Sequence, residues 1–165
     1  MNNVIEARGL TKRYRNTIAV DHIDLQIPAG RIVGLIGPNG AGKTTAMRML
    51  CGLSLPTSGE AMVAGFNLYK DAEKIKKSIG YMSQKFSLYE DLTIRENIRF
   101  YGGIYGLSNL EIKTKTEHLV SSLKLEDKIN SLVKSLPLGW KQKLSFTVAM
   151  IHDPKIVFLD EPTGG

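Results

Sequence analysis

Strands at both ends of the chain and helices in its middle predict an α/β domain. Three observations carry that expectation. Residues 4–10, 18–27 and 31–36 alternate in strand fashion, and Pro28, Ala29 and Gly30 turn the chain between the last two. From Thr93 the apolar spacing becomes helical over residues 93–104, 111–123 and 140–152. Ile156, Val157, Phe158 and Leu159 then form a short unbroken apolar run, as in a strand buried on both faces.

Between these blocks, a helical pattern over residues 43–53 follows a glycine-rich loop and ends in LSLPTSGE. Short strands are expected at residues 60–63 and 79–82. Thr93 and Glu96 form a T-x-x-E capping box, in which hydroxyl and carboxylate each satisfy an orphan amide at a helix start. Trp140, Leu144, Val148 and Ile151 fall on one helix face, a core-facing stripe, and Asp153-Pro154 ends that helix.

The bulk composition bounds the function. The 165 residues suffice for one domain with a real core, and 42% hydrophobic with 23% charged residues is ordinary for a globular protein. No stretch reaches the roughly 18–20 consecutive apolar residues of a membrane helix. The opening MNNVIEARGLTKRYRN lacks the apolar centre of a secretory signal, which points to the cytosol. Cys51, the lone cysteine, lies in an apolar helix face and reads as a small buried hydrophobe. The net charge of +6 comes from scattered lysines; the densest run, residues 70–77, is interrupted by Asp71 and Glu73 and reads as a solvated face. No nucleic-acid partner is expected.

Gly37, Pro38, Asn39, Gly40, Ala41, Gly42, Lys43 and Thr44 satisfy G-x-x-x-x-G-K-[ST] between an apolar strand pattern and a helical one. Glycines let backbone N–H groups turn toward phosphate oxygens, and the following helix adds its N-terminal dipole. Lys43 would reach the β- and γ-phosphates, and the Thr44 hydroxyl would ligate Mg²⁺. Such a loop needs a carboxylate at the end of another strand to complete the metal site. Asp160, after the apolar run, supplies it, and Glu161 is suited to polarise the attacking water.

GPNGAGKTT, YMSQ, LPLGWKQKL and FLDEPTGG, in this order across the chain, resemble an ATP-binding cassette (ABC) ATPase. The wording from TKRYRN onward is similar to the bacterial drug-export group. The resemblance implies a P-loop NTPase: a RecA-like core with an N-terminal antiparallel β subdomain and a helical subdomain. It implies a β subdomain and phosphate-loop core over 1–85, a helical subdomain over 86–140, and a signature helix with the Asp160 strand over 141–165. ATP would lie on residues 37–44 and Thr45, with Tyr14 stacked on adenine. Gln84 would sense γ-phosphate and Mg²⁺, and residues 89–105 would receive a membrane partner's coupling helix. The implied partners are membrane-spanning transporter subunits and a second ABC domain, with the chain peripheral on the inner face of the membrane.

Two features depart from the family pattern. Leu136-Pro137-Leu138-Gly139-Trp140-Lys141-Gln142 stands where the family reads L-S-G-G-x-x-Q, the loop that clamps ATP on the opposite subunit. Proline removes a hydroxyl and an N–H donor, and Gly139 remains for the contact. The chain also ends at Gly165, before the family's switch histidine, which His22, His118 and His152 do not match. It is therefore expected to be the front part of a longer cassette, with a fold incomplete at the C-terminus. The alternatives are a soluble ABC ATPase without a membrane domain and a nucleotide-binding fragment without turnover. Lys43 and Asp160 are 160 − 43 = 117 positions apart with no sustained heptads between them, unlike the coiled-coil chromosome ATPases.

Overall fold

Two long alternating strands, β1 (Asn3–Tyr14) and β2 (Thr17–Pro28), pair antiparallel and seed the first of two compact units. The computed structural model describes residues 2–83 and 88–160, and the units are Met1–Gly80 and Tyr81–Gly165. In the first unit, β3 (Ser58–Val63) adds to β1 and β4 (Phe66–Asn67) to β3, giving a four-stranded antiparallel sheet of order β2-β1-β3-β4. Ile5 and Ala7 of β1 and Ala61 and Val63 of β3 are buried at alternate positions, as a half-covered sheet requires, and Leu10 is buried beyond a register shift in the β1–β2 ladder. Helix α1 (Lys43–Leu50) contacts β2 and buries Ala46, Met47, Met49 and Leu50. Cys51 follows it, fully buried, as its apolar neighbours predict.

Helix α2 (Ala72–Ser78) is an element the sequence reading passes over. It spans the lysine-rich run, and it is solvated as expected: Lys74 pairs with Asp71 at 2.8 Å and Lys76 with Glu73 at 2.7 Å, while Ile75 alone of this helix is buried. One large apolar residue in two turns is too sparse to signal a helix by periodicity.

The expected strand over residues 31–36 is not formed. No described strand pairs with this segment, and Ile32 and Ile36 are fully exposed, at 104% and 99%. The alternating apolar residues are there, but a strand exists only when a neighbour takes its backbone groups, and pairing partners leave no local mark. An apolar segment exposed in this way is an open template for strand addition.

β5 (Ile79–Met82), whose last two residues open the second unit, and β6 (Ile156–Leu159) form a two-stranded sheet at the predicted positions. β6 is less covered than its composition predicts: Phe158 is buried, Ile156 and Val157 are partly buried, and Leu159 is 39% exposed. Two strands do not provide the layers that bury both faces.

The helical part of this unit packs α3 (Ile94–Ile104), α4 (Asn109–Leu123) and α5 (Leu138–Ala149) around one core that includes Ile94, Ile98, Leu119, Val133, Leu144 and Val148. Thr93 and Glu96 make the expected capping box, and Ser108 and Glu111 make a second one that the sequence reading missed. Hydrogen bonds from Thr93, backbone first and then hydroxyl, hold the Glu96 carboxyl below its usual range. The Ser108 hydroxyl and then its N–H do the same for Glu111. Both depressed carboxyls stabilise the fold above their ordinary range and lose that contribution as pH falls through the lowered values. Gly102 lets α3 and α4 approach closely, because a Cβ there would meet Ile112 Cγ1 at 2.7 Å.

Leu144, Val148 and Ile151 are buried as the stripe predicts, whereas Trp140 is half-buried beneath the ammonium groups of Lys143 and Lys128, 5.1 and 5.8 Å from its ring. Helix α5 starts two residues earlier than expected, since Pro137 serves as its N-cap. His152 lies beyond the helix end and stacks on Tyr105, with ring centroids 3.6 Å apart.

Asn97 organises the entry to α3. It is fully buried, accepts the Tyr89 N–H at 2.8 Å, and donates to the carbonyls of Tyr89, Thr93 and Leu92 at 2.9, 3.0 and 3.4 Å. Asn97→Leu, similar in size, orphans several backbone groups at once. The expected loss is about 2–4 kcal/mol, read as a lower urea midpoint for the second unit.

Candidate functional site

The phosphate-loop motif lies in the first unit, between the open segment 31–36 and α1. Gly42 is the N-cap of α1 in the left-handed conformation, φ 87°. A Cβ at this position would come within 2.1 Å of the Ala19 carbonyl oxygen of β2, so only glycine fits the turn. Gly40 is also left-handed, at φ 81°, and the Ala41 N–H closes a turn onto the Pro38 carbonyl at 3.2 Å. The Ala46 N–H donates to Gly42 at 2.8 Å as the first intrahelical bond. The amides of Lys43, Thr44 and Thr45 therefore precede the helical ladder, and Gly42 has no side chain to cap them.

The Lys43 ammonium curls back over the loop and donates to the carbonyls of Gly37 at 2.7 Å and Pro38 at 2.9 Å. A cation, a set of helix N-terminal amides and an open cleft of about 640 Å³ thus coincide. Ala19, Val20, Leu35, Gly40, Lys43 and Ala46 are among the residues lining the cleft. This donor set suits a polyanion. Asn39 belongs to the same exposed turn.

Tyr14 closes β1 with its ring 51% exposed and the Lys12 ammonium 5.1 Å from its centroid; the same ammonium donates to the Leu55 carbonyl at 2.5 Å. An exposed ring face beside fixed positive charge can stack on a flat heterocycle.

Asp160 belongs to the second unit, at the end of β6, and is 5% exposed. Its N–H donates to the Met82 carbonyl at 2.9 Å, and the Tyr81 hydroxyl donates to its Oδ2 at 3.4 Å. Tyr81 is a site neighbour that sequence reasoning missed; it stands three residues before Gln84, with nothing local to link it to a residue 79 positions away. Gln84 and Glu161 lie outside the described residues.

In the signature segment, Pro137 caps α5 through its carbonyl, which accepts the N–H groups of Trp140 at 2.9 Å and Lys141 at 3.1 Å. No side chain caps this helix and no acidic residue occupies its first turn. Leu138 is 58% exposed, and a Cβ on Gly139 would meet nothing within 4 Å, so glycine is not demanded there by packing within the described chain.

Comparisons with known proteins show the family. A family model described as ABC transporter matches residues 20–164. The chain is 44% identical to the probable multidrug ABC transporter ATP-binding protein YbhF of Escherichia coli (strain K12), over 98% of this chain and 28% of that protein. It is 37% identical to the bacitracin transport ATP-binding protein BcrA of Bacillus licheniformis, over 100% of this chain and 53% of the other. The Nod factor export ATP-binding protein I of Cupriavidus metallidurans is 36% identical, over 100% of this chain and 54% of its own length. The chain thus spans about half or less of the length of these relatives. A solved ATP-binding subunit of an ABC transporter superposes with a TM-score of 0.85 at 30% identity, covering 96% of this chain and 66% of the other. The α/β architecture is that of the P-loop ABC ATPase fold, and the chain belongs to the ABC transporter family.

Proposed function

We propose that this chain binds ATP with Mg²⁺ and hydrolyses it as the nucleotide-binding part of an ABC transporter, one that exports drugs or other small molecules. The observation that carries the reading is the loop at Gly42: a left-handed glycine wedged against Ala19 opens α1 toward a cleft, with Lys43 poised over it. In this reading Gly37, Pro38, Asn39, Gly40, Ala41, Gly42, Lys43, Thr44 and Thr45 cradle the phosphates, and Lys43 leaves the Gly37 and Pro38 carbonyls to do so. Tyr14 stacks on adenine. Thr44, Asp160 and Gln84 would hold Mg²⁺, whose charge neutralises the phosphate oxygens when bound. Tyr81 restrains Asp160, and Glu161 takes the proton of the attacking water.

Gly139 would contact ATP on a second ABC domain, and the entry to α3 would meet a membrane-spanning partner. The functional division follows 1–85, 86–140 and 141–165. Relatives named as ATP-binding proteins of multidrug, bacitracin and Nod-factor export systems support transport as the work done. No helix among the described residues is long and apolar enough to cross a membrane, and the assigned place is the cytoplasmic face beside the membrane partner.

Lys43→Ala tests the reading. Losing one charge-assisted contact to phosphate is expected to weaken a fluorescent ATP analogue about tenfold to a hundredfold in the full-length protein. Equal affinities in the two proteins would remove Lys43 and its loop from the site.

A further inference from the structure

Helix α5 begins without the usual devices of a helix N-terminus. Its N-cap is Pro137, which makes no side-chain bond to the first amides, and its first turn carries no acid. The acid at this end comes from 51 residues earlier: Glu90 Oε1 pairs with Lys141 Nζ at 2.6 Å. The Lys141 side chain is only 16% exposed, so the pair is partly shielded from water. A carboxylate here offsets the positive end of the helix dipole as well as the ammonium.

Glu90 is itself held from both sides. The Lys134 N–H donates to its carbonyl at 3.0 Å, Lys134 Nζ pairs with neighbouring Asp91 at 2.9 Å, and the Val133 N–H donates to Leu92 at 3.0 Å. On the other flank, buried Asn97 clasps Tyr89 in both directions. The segment that opens α3 is therefore tied to the chain just before α5, and through Glu90 to Lys141, two residues after Gly139.

We infer that Glu90 is a positioning residue for Gly139: its pair with Lys141 sets the N-terminal end of α5, so a displacement at the entry to α3 is passed to the glycine. This rests on the proposed contact of Gly139 with ATP on a second ABC domain. Pro137 has no side-chain oxygen to offer the first amides, so the pair supplies an anchor at this end that an ordinary N-cap side chain would give. Loss of the pair loosens the glycine without touching the phosphate loop.

The test uses the full-length protein assembled with its membrane-spanning subunits and compares ATPase rates of wild type, Glu90→Gln, Lys141→Met and the exchanged pair Glu90→Lys/Lys141→Glu. Each single variant is expected to raise KM for ATP about three- to tenfold, with kcat changed less than about twofold and melting temperature little altered. The exchanged pair is expected to recover most of the loss. Added salt should bring the wild-type KM toward that of Glu90→Gln, which should itself respond less. An unchanged KM in both single variants, a rise that the exchange does not reverse, or a rise that merely follows a fall in melting temperature would overturn the inference. Lys43→Ala, run in parallel, separates the two levels. If it leaves ATPase intact, the ATP site itself is misassigned; if it abolishes ATPase while Glu90→Gln behaves as wild type, only the role of Glu90 fails.

Discussion

Gly42→Ala is expected to disable the phosphate loop and to destabilise the first unit. Alanine at φ 87° costs about 1–2 kcal/mol in backbone strain. The added methyl group also meets the Ala19 carbonyl oxygen at 2.1 Å, and β2 is held by β1 along its length, so relief requires α1 to move away. Overpacking of this kind adds about 1–3 kcal/mol, a large share of the 5–15 kcal/mol that holds a typical domain. Displacing α1 also carries Lys43 and the first helical amides out of register with the loop. Gly40→Ala is the contrast: it shares the positive φ, 81°, but has nothing within 4 Å of the new methyl, so only the strain remains. Thermal melts of the two variants should therefore differ, with Gly42→Ala lower and its affinity for an ATP analogue lost. Equal melts would mean that the approach of Gly42 to Ala19 does not constrain the loop.

Glu161→Gln is expected to leave ATP binding intact and to reduce turnover about 10²- to 10⁴-fold, the usual contribution of a general base. The amide keeps the shape of the carboxylate but cannot accept a proton from water. Asp160→Asn acts on a different property. It removes a charge from a carboxyl that is 5% exposed and engaged by Tyr81, and is expected to weaken the Mg²⁺ dependence of binding itself. Single-turnover phosphate release, measured beside nucleotide affinity, separates the two. Turnover near wild type in Glu161→Gln would remove the general-base role from that residue.

The parts of the molecule legible in the sequence are those whose physics is local. The phosphate loop is a run of eight consecutive residues, and its glycines and lysine stand where a strained, cation-bearing turn needs them. Thr93 and Glu96 signal a helix start because both halves of the capping box lie within one turn. β5 and β6 are found at their expected residues because each apolar run is short and bounded.

Most of the parts that escaped are set by partners far along the chain, although the Ser108–Glu111 capping box is as local as that of Thr93 and Glu96 and was passed over. Residues 31–36 look like a strand, yet a ladder depends on a neighbour that alternation cannot name. Tyr81 reaches Asp160 across 79 positions and Glu90 reaches Lys141 across 51, with no periodicity to announce either contact. Asn97 sits at an ordinary helix position, and only its complete burial shows it to be a clasp rather than a surface amide. α2 stayed hidden because its solvated lysines outnumber its single buried isoleucine.

The most direct measurement is the backbone amide NMR spectrum of the protein titrated with a non-hydrolysable ATP analogue and Mg²⁺. The largest shifts are expected at the amides of Gly40, Ala41, Gly42, Lys43, Thr44 and Thr45, as Lys43 exchanges the Gly37 and Pro38 carbonyls for phosphate oxygens. Saturable shifts centred elsewhere, with these six amides unmoved, would contradict a nucleotide site at this loop.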